Sequence, residues 1–323
     1  MHPIFLHYPI SVPSKQINAQ PYPTYVDQNN YYFIIPIQQE EDAIWEKYVI
    51  SNHLHQNNFT NVTQPIRNIH NQFVTTVGKE KFLLCFARKK QTLDSSPGQK
   101  LAHFHQTGFQ FPYQPQTIST YGNWKNLWVN KIDQYEALYK TYYKQQPTQP
   151  IMRVLADVFP YMVGLAENAV QYLNIAEEEK NYHMNDQATL TFSRYSNQCM
   201  DDFIWIHEIV YDHPIRDVAE SIRPFLLKER GLDDKEFQQF MGEYLAICPL
   251  SPFAWKLLYA RLLLPIHLFD KIDQYRDSDL GEKAWHRLVE DQVYYEQNLK
   301  QFFSLFAVEF RDMDIIQLDW LLD

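Results

Sequence analysis

Asp212-His213-Pro214-Ile215-Arg216-Asp217-Val218-Ala219-Glu220 is the stretch of sequence from which the fold prediction starts. A β-rich region comes first along the chain, followed by the segment Pro97-Gly98-Gln99-Lys100-Leu101-Ala102-His103-Phe104-His105, and then by sequence with helical periodicity. Each short motif is only moderately specific. The order in which they follow one another therefore carries most of the prediction.

The size and composition of the chain indicate a folded globular protein. Its 323 residues are enough to bury a substantial core without disulfides or metal. Hydrophobic residues make up 45% and aromatic residues 15%, which argues against disorder and for aromatic packing between helices. The formal net charge of −10 repels a polyanion, so we expect no nucleic acid as partner.

Cysteine usage and hydropathy indicate the kind of cellular compartment in which we expect the protein. Cys85, Cys199 and Cys248 fit neither a disulfide framework nor a CxxC metal site, so we expect a reducing compartment. The first residues lack the basic and apolar regions of a secretory signal, and secretion is not expected. The most apolar long window, Trp255 to Phe269, contains charged residues and Pro265 and is shorter than the roughly 20 apolar residues of a spanning helix. We predict a buried helix there and no transmembrane segment.

Glycine usage excludes the common nucleotide-binding loops. The chain has eight glycines, none of them at a G-x-G or G-x-x-x-x-G-K spacing. Backbone that approaches a phosphate closely needs glycine in such loops, so the sequence has neither a P-loop nor a dinucleotide fingerprint. Any nucleotide would have to be held in another way.

The periodicity of the sequence changes at about residue 90. Tyr31 to Ile37 is rich in β-branched and aromatic residues, and Gln72 to Phe86 predicts two strands joined by a glycine-containing turn. Between them, Glu40 to Asn52 has its apolar residues on one face of a helix. We therefore predict an α+β fold, with a β-rich lobe over residues 1–90 and a mostly helical lobe over residues 91–323.

The order of these segments resembles the aminoglycoside-phosphotransferase-like kinases. Those proteins carry a G-x-x-L-A-x-(L/F)-H helix soon after the lobe hinge, matched here by Gly98 to His105, and a D-x-P-x-x-D-(L/V)-A segment, matched by Asp212 to Ala219. Within that superfamily, Tyr121 to Trp128 and Ser251 to Leu263 are similar to the CotS-related spore coat proteins. The resemblance covers nearly the whole chain and implies a protein kinase-like fold of two lobes.

The lysine that the resemblance implies is missing from its strand. Enzymes catalyse phosphoryl transfer mainly by positioning the reactants and neutralising the charge of the phosphate groups. A kinase of this shape uses a strand lysine, an aspartate near the accepting hydroxyl, and carboxylates for magnesium. The strand Tyr31 to Ile37 contains no lysine, and the nearest ones are Lys15 and Lys47. We therefore expect no ion pair between a strand lysine and a helix glutamate.

The acidic groups are also replaced. The counterpart of the catalytic H-x-D is Phe192-Ser193-Arg194, and the guanidinium of Arg194 cannot accept a proton, although it could bind an anion. The metal-binding D-x-D falls near Trp205-Ile206-His207-Glu208, where a single carboxylate makes a poor magnesium site. We predict no catalytic, cofactor-binding or metal-binding residue and no cofactor. The degenerate positions are Phe192, Arg194, His207 and Glu208.

The scaffold part of the motif is present. In the kinase fold, the aspartate that corresponds to Asp217 braces the catalytic loop by accepting hydrogen bonds from its backbone. The resemblance thus implies a scaffold brace made of Asp212, Pro214, Arg216 and Asp217. A brace without the catalytic groups is the pattern of a pseudokinase.

Other groups of polar residues in the sequence give weaker predictions of a functional site. His207-Glu208 begins an H-E-x-x-H zinc motif, but Tyr211 stands where the second histidine is needed, and the alternative is a strand or loop end with solvated polar groups. His53 with His55, and His103 with His105, are spaced to face different directions on a helix, so one of each pair is expected in the core or hydrogen-bonded. Asp201-Asp202 indicates a polar turn before an apolar strand, Phe203 to Ile206, rather than a displaced magnesium site.

Three functions are consistent with this pattern. The first is a catalytically inactive kinase-like protein that is a structural or assembly component of the bacterial endospore coat. It would be made in the sporulating mother cell and would have other coat proteins as partners. The second is an active phosphotransferase on a small molecule or protein that uses Glu208 and Asp212 as substitute metal ligands. The third is a nucleotide-sensing module without turnover.

Overall fold

A computed structural model describes most of the chain, namely residues 2–10, 15–17, 21–27, 30–88, 95–144, 150–180, 182–276 and 282–305. The chain packs into two compact units. Unit 1 comprises Met1–Thr120 and Ala188–Pro214, and unit 2 comprises Tyr121–Gln187 and Ile215–Asp323. Antiparallel strands lie in unit 1 and long helices predominate in unit 2, which confirms the α+β class. The lobe boundary near residue 90 stays a prediction.

Unit 1 is built on an antiparallel sheet. Its strands follow the order β1 (Lys15–Ile17), β2 (Thr24–Val26), β3 (Tyr31–Ile37), β6 (Glu80–Ala87) and β4 (Gln64–Pro65), and β5 (Val74–Val77) also pairs with β6. β3 pairs with β6 along its whole length, from Tyr31 opposite Ala87 to Ile37 opposite Lys81. The turn between β5 and β6 contains Gly78, whose positive φ of 67° suits glycine. The strands predicted at these positions are confirmed.

Helix α1 (Glu41–Gln56) lies where the sequence predicts a helix, and two of its acidic side chains fix its orientation. The carboxylate of Glu41 accepts hydrogen bonds from the backbone N–H groups of Phe73 and Val74, at 2.7 and 2.9 Å. The carboxylate of Glu46 accepts from three consecutive N–H groups, Gln116 to Ile118, at 2.7 to 3.1 Å. Charge-assisted bonds of this kind are stronger than neutral ones.

Helix α2 (Pro97–Phe109) packs against a hairpin of β7 (Thr189–Phe192) and β8 (Ile209–Asp212) in the same unit. A Cβ atom at Gly108 would lie 2.2 Å from Oγ1 of Thr189 and 2.6 Å from the nitrogen of Leu190. Only glycine permits this approach. The glycine thus brings the hairpin, which carries the degenerate positions at its ends, close to α2.

The apolar strand predicted over Phe203 to Ile206 is wrong. Only Ile204 forms a bridge, to Val62, and a 3-10 turn, Ile206–Glu208, follows. Among the described residues, no strand pairs with this segment beyond that single bridge. Its backbone groups therefore form hydrogen bonds with individual partners. The N–H of Ile204 donates to the carbonyl of Asn61 at 3.0 Å, and that of Ile206 donates to Oγ1 of Thr63 at 2.9 Å.

Long helices make up most of the described part of unit 2. They are α3 (Trp124–Lys144), α4 (Pro150–Glu178), α5 (Ile215–Leu226), α6 (Lys235–Ile247), α7 (Pro252–Leu263), α8 (Ile266–Arg276) and α9 (Glu282–Leu305). The single helix predicted over Trp255 to Phe269 is wrong, because α7 ends before Pro265 and α8 begins after it. Leu264 is extended, as the residue before a proline tends to be. Among the described helices, none is long and apolar enough to cross a membrane.

A buried arginine holds the end of α7. The guanidinium of Arg223, which is 4% exposed, donates to the carbonyls of Arg261 at 2.8 Å and Leu264 at 3.3 Å and to the hydroxyl of Tyr295 at 2.7 Å. That hydroxyl donates to the carbonyl of Leu262 at 2.6 Å. The last carbonyls of a helix have no partner within it, so this network supplies the acceptors of α7 with donors.

Candidate functional site

The structure brings the degenerate positions together at one end of the β7–β8 hairpin. β7 ends at Phe192 and β8 begins after Glu208, and the N–H of Ser193 donates to the carbonyl of Glu208 at 2.7 Å. The ring of Phe192 is fully buried and stacks on Phe104 of α2, with centroids 5.0 Å apart. A ring packed in this way cannot act as an acid or base, so the residue at the expected histidine position is part of the core.

Arg194 lies on an exposed loop after β7, and Gln198 organises that loop. The side chain of Gln198 donates to the carbonyl of Arg194 at 2.7 Å and accepts from the N–H of Ser196 at 2.6 Å. The same amide nitrogen lies 3.3 Å from Oε2 of Glu208. In protein kinases an amide of the catalytic loop and a carboxylate hold metal ions. Here an amide of the loop and the carboxylate contact each other directly.

Lys47 is a buried charged group at this end of the hairpin that the sequence analysis did not include among the site residues. It lies on α1, is 1% exposed, and its ammonium donates to Oε1 of Gln39 at 3.2 Å and to the carbonyl of His207 in a short contact. Burial lowers the pKa of Lys47 to about 8, although the charge of Glu208 acts in the opposite direction. A signal was available, because Lys47 stands within the apolar face that includes Ile44 and Ile50.

His207 is half-buried rather than solvated, which corrects the alternative of a solvated loop end. Its Nε2 lies 2.9 Å from the hydroxyl of Tyr22, and Nδ1 is buried without a hydrogen-bond partner in the part of the chain that the structure describes. Burial lowers the pKa of His207 to about 4, and Lys47 adds to the effect. The imidazole is therefore neutral at physiological pH.

Glu208 is a poor ligand for magnesium. Burial raises the pKa of its half-buried carboxyl, Asp201 adds to the shift, and Gln198 and Lys47 oppose it. A lone carboxylate that already accepts a hydrogen bond and has an ammonium nearby does not fit a divalent cation. No group of three or more His, Cys, Asp or Glu side chains that could hold a metal occurs among the residues with described positions.

Aromatic rings cover the face of β3 on which Phe33 lies. The rings of Phe203 and Trp205 each lie 4.9 Å from that of Phe33, which is 1% exposed. Tyr31 contacts Phe203 at 5.0 Å, and Tyr22 contacts Trp205 at 4.9 Å. We call these five residues the aromatic cluster. It occupies one face of the strand on which the family is expected to carry its phosphate-binding lysine.

The residues predicted as a brace occupy the end of β8 and the start of α5. Asp212 is fully buried, and its carboxylate accepts from Oγ1 of Thr120 at 2.9 Å and from the N–H of His213 at 2.7 Å. It is therefore engaged within the scaffold rather than offered to a metal. Pro214 and Asp217 are buried and Arg216 is half-buried. The bracing role of Asp217 stays a prediction.

The remaining histidine candidates have structural partners. Nε2 of His53 lies 2.8 Å from the carbonyl of Thr107, and Nε2 of His55 lies 2.7 Å from that of Val62. Because a carbonyl oxygen can only accept a hydrogen bond, the ring nitrogen is the donor in each case. His105 is fully buried and His103 is exposed, as expected for two positions on a helix that face different ways. Asp201 and Asp202 are exposed ahead of Phe203, as a polar turn predicts.

Two sequence comparisons cover nearly the whole chain. The family model described as "spore coat putative kinase YutH" matches residues 2–303. The chain is 29% identical to the "endospore coat-associated protein YutH" of Bacillus subtilis (strain 168), over 97% of this chain and 96% of that protein.

Solved structures show the same fold. An aminoglycoside phosphotransferase from Alicyclobacillus acidocaldarius is similar with a TM-score of 0.57 at 12% identity, over 92% of this chain and 94% of that one. A microcompartment-associated aminopropanol kinase is similar with a TM-score of 0.56 at 10% identity, over 93% and 96%. The predicted kinase-like fold of the aminoglycoside-phosphotransferase type is confirmed.

Proposed function

We propose that this chain, which belongs to the family of spore coat putative kinases that includes YutH, is a kinase-shaped protein that transfers no phosphate and acts as a structural or assembly component of the endospore coat. It would be made in the mother cell, would move to the coat and would bind other coat proteins. It would need no cofactor.

The aromatic cluster is the observation that supports this proposal most. A nucleotide triphosphate on a kinase scaffold is held by a strand lysine and by metal-binding carboxylates. On β3 the corresponding face carries Phe33, packed against Phe203 and Trp205. The imidazole of His207 and the carboxylate of Glu208 are engaged by Tyr22 and Gln198, which argues against a role in binding magnesium or in accepting a proton from a substrate hydroxyl.

Exposed apolar side chains support a role in assembly. In unit 1, Trp45 is 53% exposed, Tyr113 is 64% exposed and Leu6 is 77% exposed. Aromatic residues are enriched at protein interfaces because they supply a large contact area with few rotatable bonds. The partners we propose are therefore coat proteins rather than nucleic acid.

One observation favours a second function. The ammonium of Lys47 lies beside residues 206–208, the element that would carry metal ligands. A cation that could bind phosphate groups is therefore present, although it comes from helix α1 and not from a strand. This favours a nucleotide sensor or a phosphotransferase with substituted ligands.

Thermal unfolding with and without magnesium-ATP separates these functions. Saturating ligand at about 100 times its dissociation constant stabilises a protein by about 2.7 kcal/mol. We expect no shift in the unfolding temperature and no release of phosphate. A shift without turnover would favour the sensor, and turnover that Glu208→Gln abolishes would contradict the proposal.

Localisation tests the role in the coat. We expect a tagged chain to be found in the coat of sporulating cells, and the Glu208→Gln variant to be found there equally, because assembly into the coat does not require phosphoryl transfer. The same substitution is the matched control for the ATP measurement. A diffuse signal of the unsubstituted chain in sporulating cells would remove the assignment.

A further inference from the structure

The surroundings of Lys47 are those of a cation site. Its ammonium contacts two oxygen atoms, Oε1 of Gln39 and the carbonyl oxygen of His207, and the carboxylate of Glu208 is close enough to stabilise its charge. Nε2 of Gln39 donates to the same carbonyl at 3.3 Å and so holds the two oxygens in place. Oxygen ligands and a carboxylate are what a hard cation binds.

The buried position of Lys47 on α1 indicates that the ammonium group, and not the apolar stem, is the reason why a lysine is found there. Its neighbours on that face, Ile44, Ile50 and Leu54, are completely buried. An apolar side chain such as methionine would fill the same space without the cost of desolvating a charge. A lysine is rarely buried to this degree unless a partner holds its charge.

We propose that Lys47 is a tethered cation, held by the oxygen atoms of Gln39 and His207 with the carboxylate of Glu208 nearby, which takes the place of a bound metal ion in this element. The inference rests on the proposed function in taking residues 206–208 as the counterpart of the metal-binding element. The site is complete without an ion from solution. It also ties α1 to the turn Ile206–Glu208, so the chain holds these two elements together without a ligand.

The charged and titratable groups around the ammonium are consistent with this role. Glu208 carries the compensating charge, and His207 beside it is neutral. The hydroxyl of Tyr22 is hydrogen-bonded to Nε2 of His207. The charge of Asp201 contributes to the raised pKa of Glu208. The charge of the buried ammonium is thus opposed by the half-buried carboxylate of Glu208, with the exposed carboxylate of Asp201 farther out.

Truncation of the side chain and rescue by a free cation test the proposal. Lys47→Ala removes the stem beyond Cβ, and n-propylammonium has the size and charge of the missing part. We expect Lys47→Ala to lower the unfolding temperature by roughly 5 to 10 °C, because a group that compensates buried oxygens is lost. We expect n-propylammonium to restore at least half of that loss, and to have little effect on the unsubstituted chain.

Four controls separate a cation site from a simple cavity. 1-Propanol has the size without the charge, and tetramethylammonium has the charge without N–H donors, so neither should rescue Lys47→Ala. Lys47→Met fills the space, and we expect it to be destabilised and not rescued. Adding Glu208→Gln to Lys47→Ala should weaken the rescue by n-propylammonium.

Two results would overturn the proposal. One is equal stabilisation of Lys47→Ala by all three additives, and the other is a Lys47→Met variant as stable as the unsubstituted chain. If Lys47→Ala does not fold even with n-propylammonium, ¹⁵N NMR of the unsubstituted chain decides. A slowly exchanging ammonium signal from Lys47 at neutral pH supports the proposal, and a neutral amine contradicts it. No nucleotide is present in these experiments, so their failure differs from that of the proposed function.

Discussion

Unit 1 buries the cation Lys47 and unit 2 buries the cation Arg223, each donating to backbone carbonyls, and the pKa values of the two cations are shifted in opposite directions. In unit 1, Lys47 is 1% exposed, and burial lowers its pKa to about 8. In unit 2, Arg223 is 4% exposed, and its pKa is raised. Burial alone would lower the pKa of Arg223, but Tyr295, Glu220 and Asp270 together more than compensate.

The difference shows which site is structural. Arg223 supplies donors to the end of α7, and the dipole of a helix carboxy terminus also favours a cation there. Lys47 has a proton that is easier to lose, because burial lowers its pKa to about 8. Perturbed pKa values of this kind cluster at functional sites. We infer that Arg223 stabilises the end of α7, and that Lys47, whose pKa is lowered, is the better candidate for a functional group.

The largest effect is expected from removal of the cation in unit 2. Arg223→Met leaves the carbonyls of Arg261 and Leu264 without their donor, and we expect a loss of about 3 to 5 kcal/mol in urea or thermal unfolding. Arg230→Met is the matched control, because its ion pair with Asp233 is solvated, and we expect a change within about 0.5 kcal/mol. Equal effects of the two substitutions would break the comparison.

Acid unfolding extends the comparison to one histidine in each unit. Burial lowers the pKa of His207 to about 4, and Lys47 adds to the effect; burial lowers the pKa of His267 to about 3, and Arg223 adds to the effect. The folded chain thus binds fewer protons than the unfolded chain below the ordinary histidine pKa of 6.5. Stability therefore rises with pH, between about 4 and 6.5 for His207 and between about 3 and 6.5 for His267.

Each histidine should account for a loss on the order of 2 to 3 kcal/mol on acidification from pH 7 to pH 4. His207→Gln and His267→Gln should each flatten the acid limb of a plot of unfolding free energy against pH. The substitution of exposed His103 by Gln is the control and should leave the limb unchanged. An unchanged limb in either of the first two variants would contradict the burial argument for that histidine.

Loss of one oxygen ligand should have a smaller effect. Gln39→Leu removes an acceptor of Lys47 and the amide that holds the carbonyl of His207, and we expect a loss of about 1 to 2 kcal/mol. Gln38→Leu, at the exposed neighbouring position, is the control and should change stability by less than about 0.5 kcal/mol. If Gln39→Leu is as stable as its control, the oxygens around Lys47 do not hold its charge.

The smallest effect is expected at the surface of unit 1. Lys81 pairs with Glu40 at 2.7 Å, and their side chains are 36% and 77% exposed. Solvent screens such a pair, so Lys81→Ala should change the free energy of unfolding by less than about 0.5 kcal/mol. A loss as large as that of Lys47→Met would show that burial does not distinguish the lysines of this unit.

The sequence by itself determined the local elements and the chemistry that is missing. β-Branched and aromatic content located β3 and the β5–β6 hairpin, helical spacing located α1, and the family resemblance implied α2. The absence of a lysine from Tyr31 to Ile37 and the arginine at position 194 can be read directly, because residue identity needs no geometry. The strand predicted at Phe203 to Ile206 was wrong because an apolar run does not reveal whether a partner strand exists.

Only the tertiary structure decided what surrounds the site. Lys47 and His207 are 160 residues apart in sequence, and the rings of Phe33 and Trp205 meet across a similar separation. Gln198 reaches Glu208 because the β7–β8 hairpin brings the loop and the turn together. Periodicity reports which face of an element is buried, whereas the partner that buries it depends on how distant elements pack. That is why a lysine on an apolar face was visible in the sequence and its oxygen ligands were not.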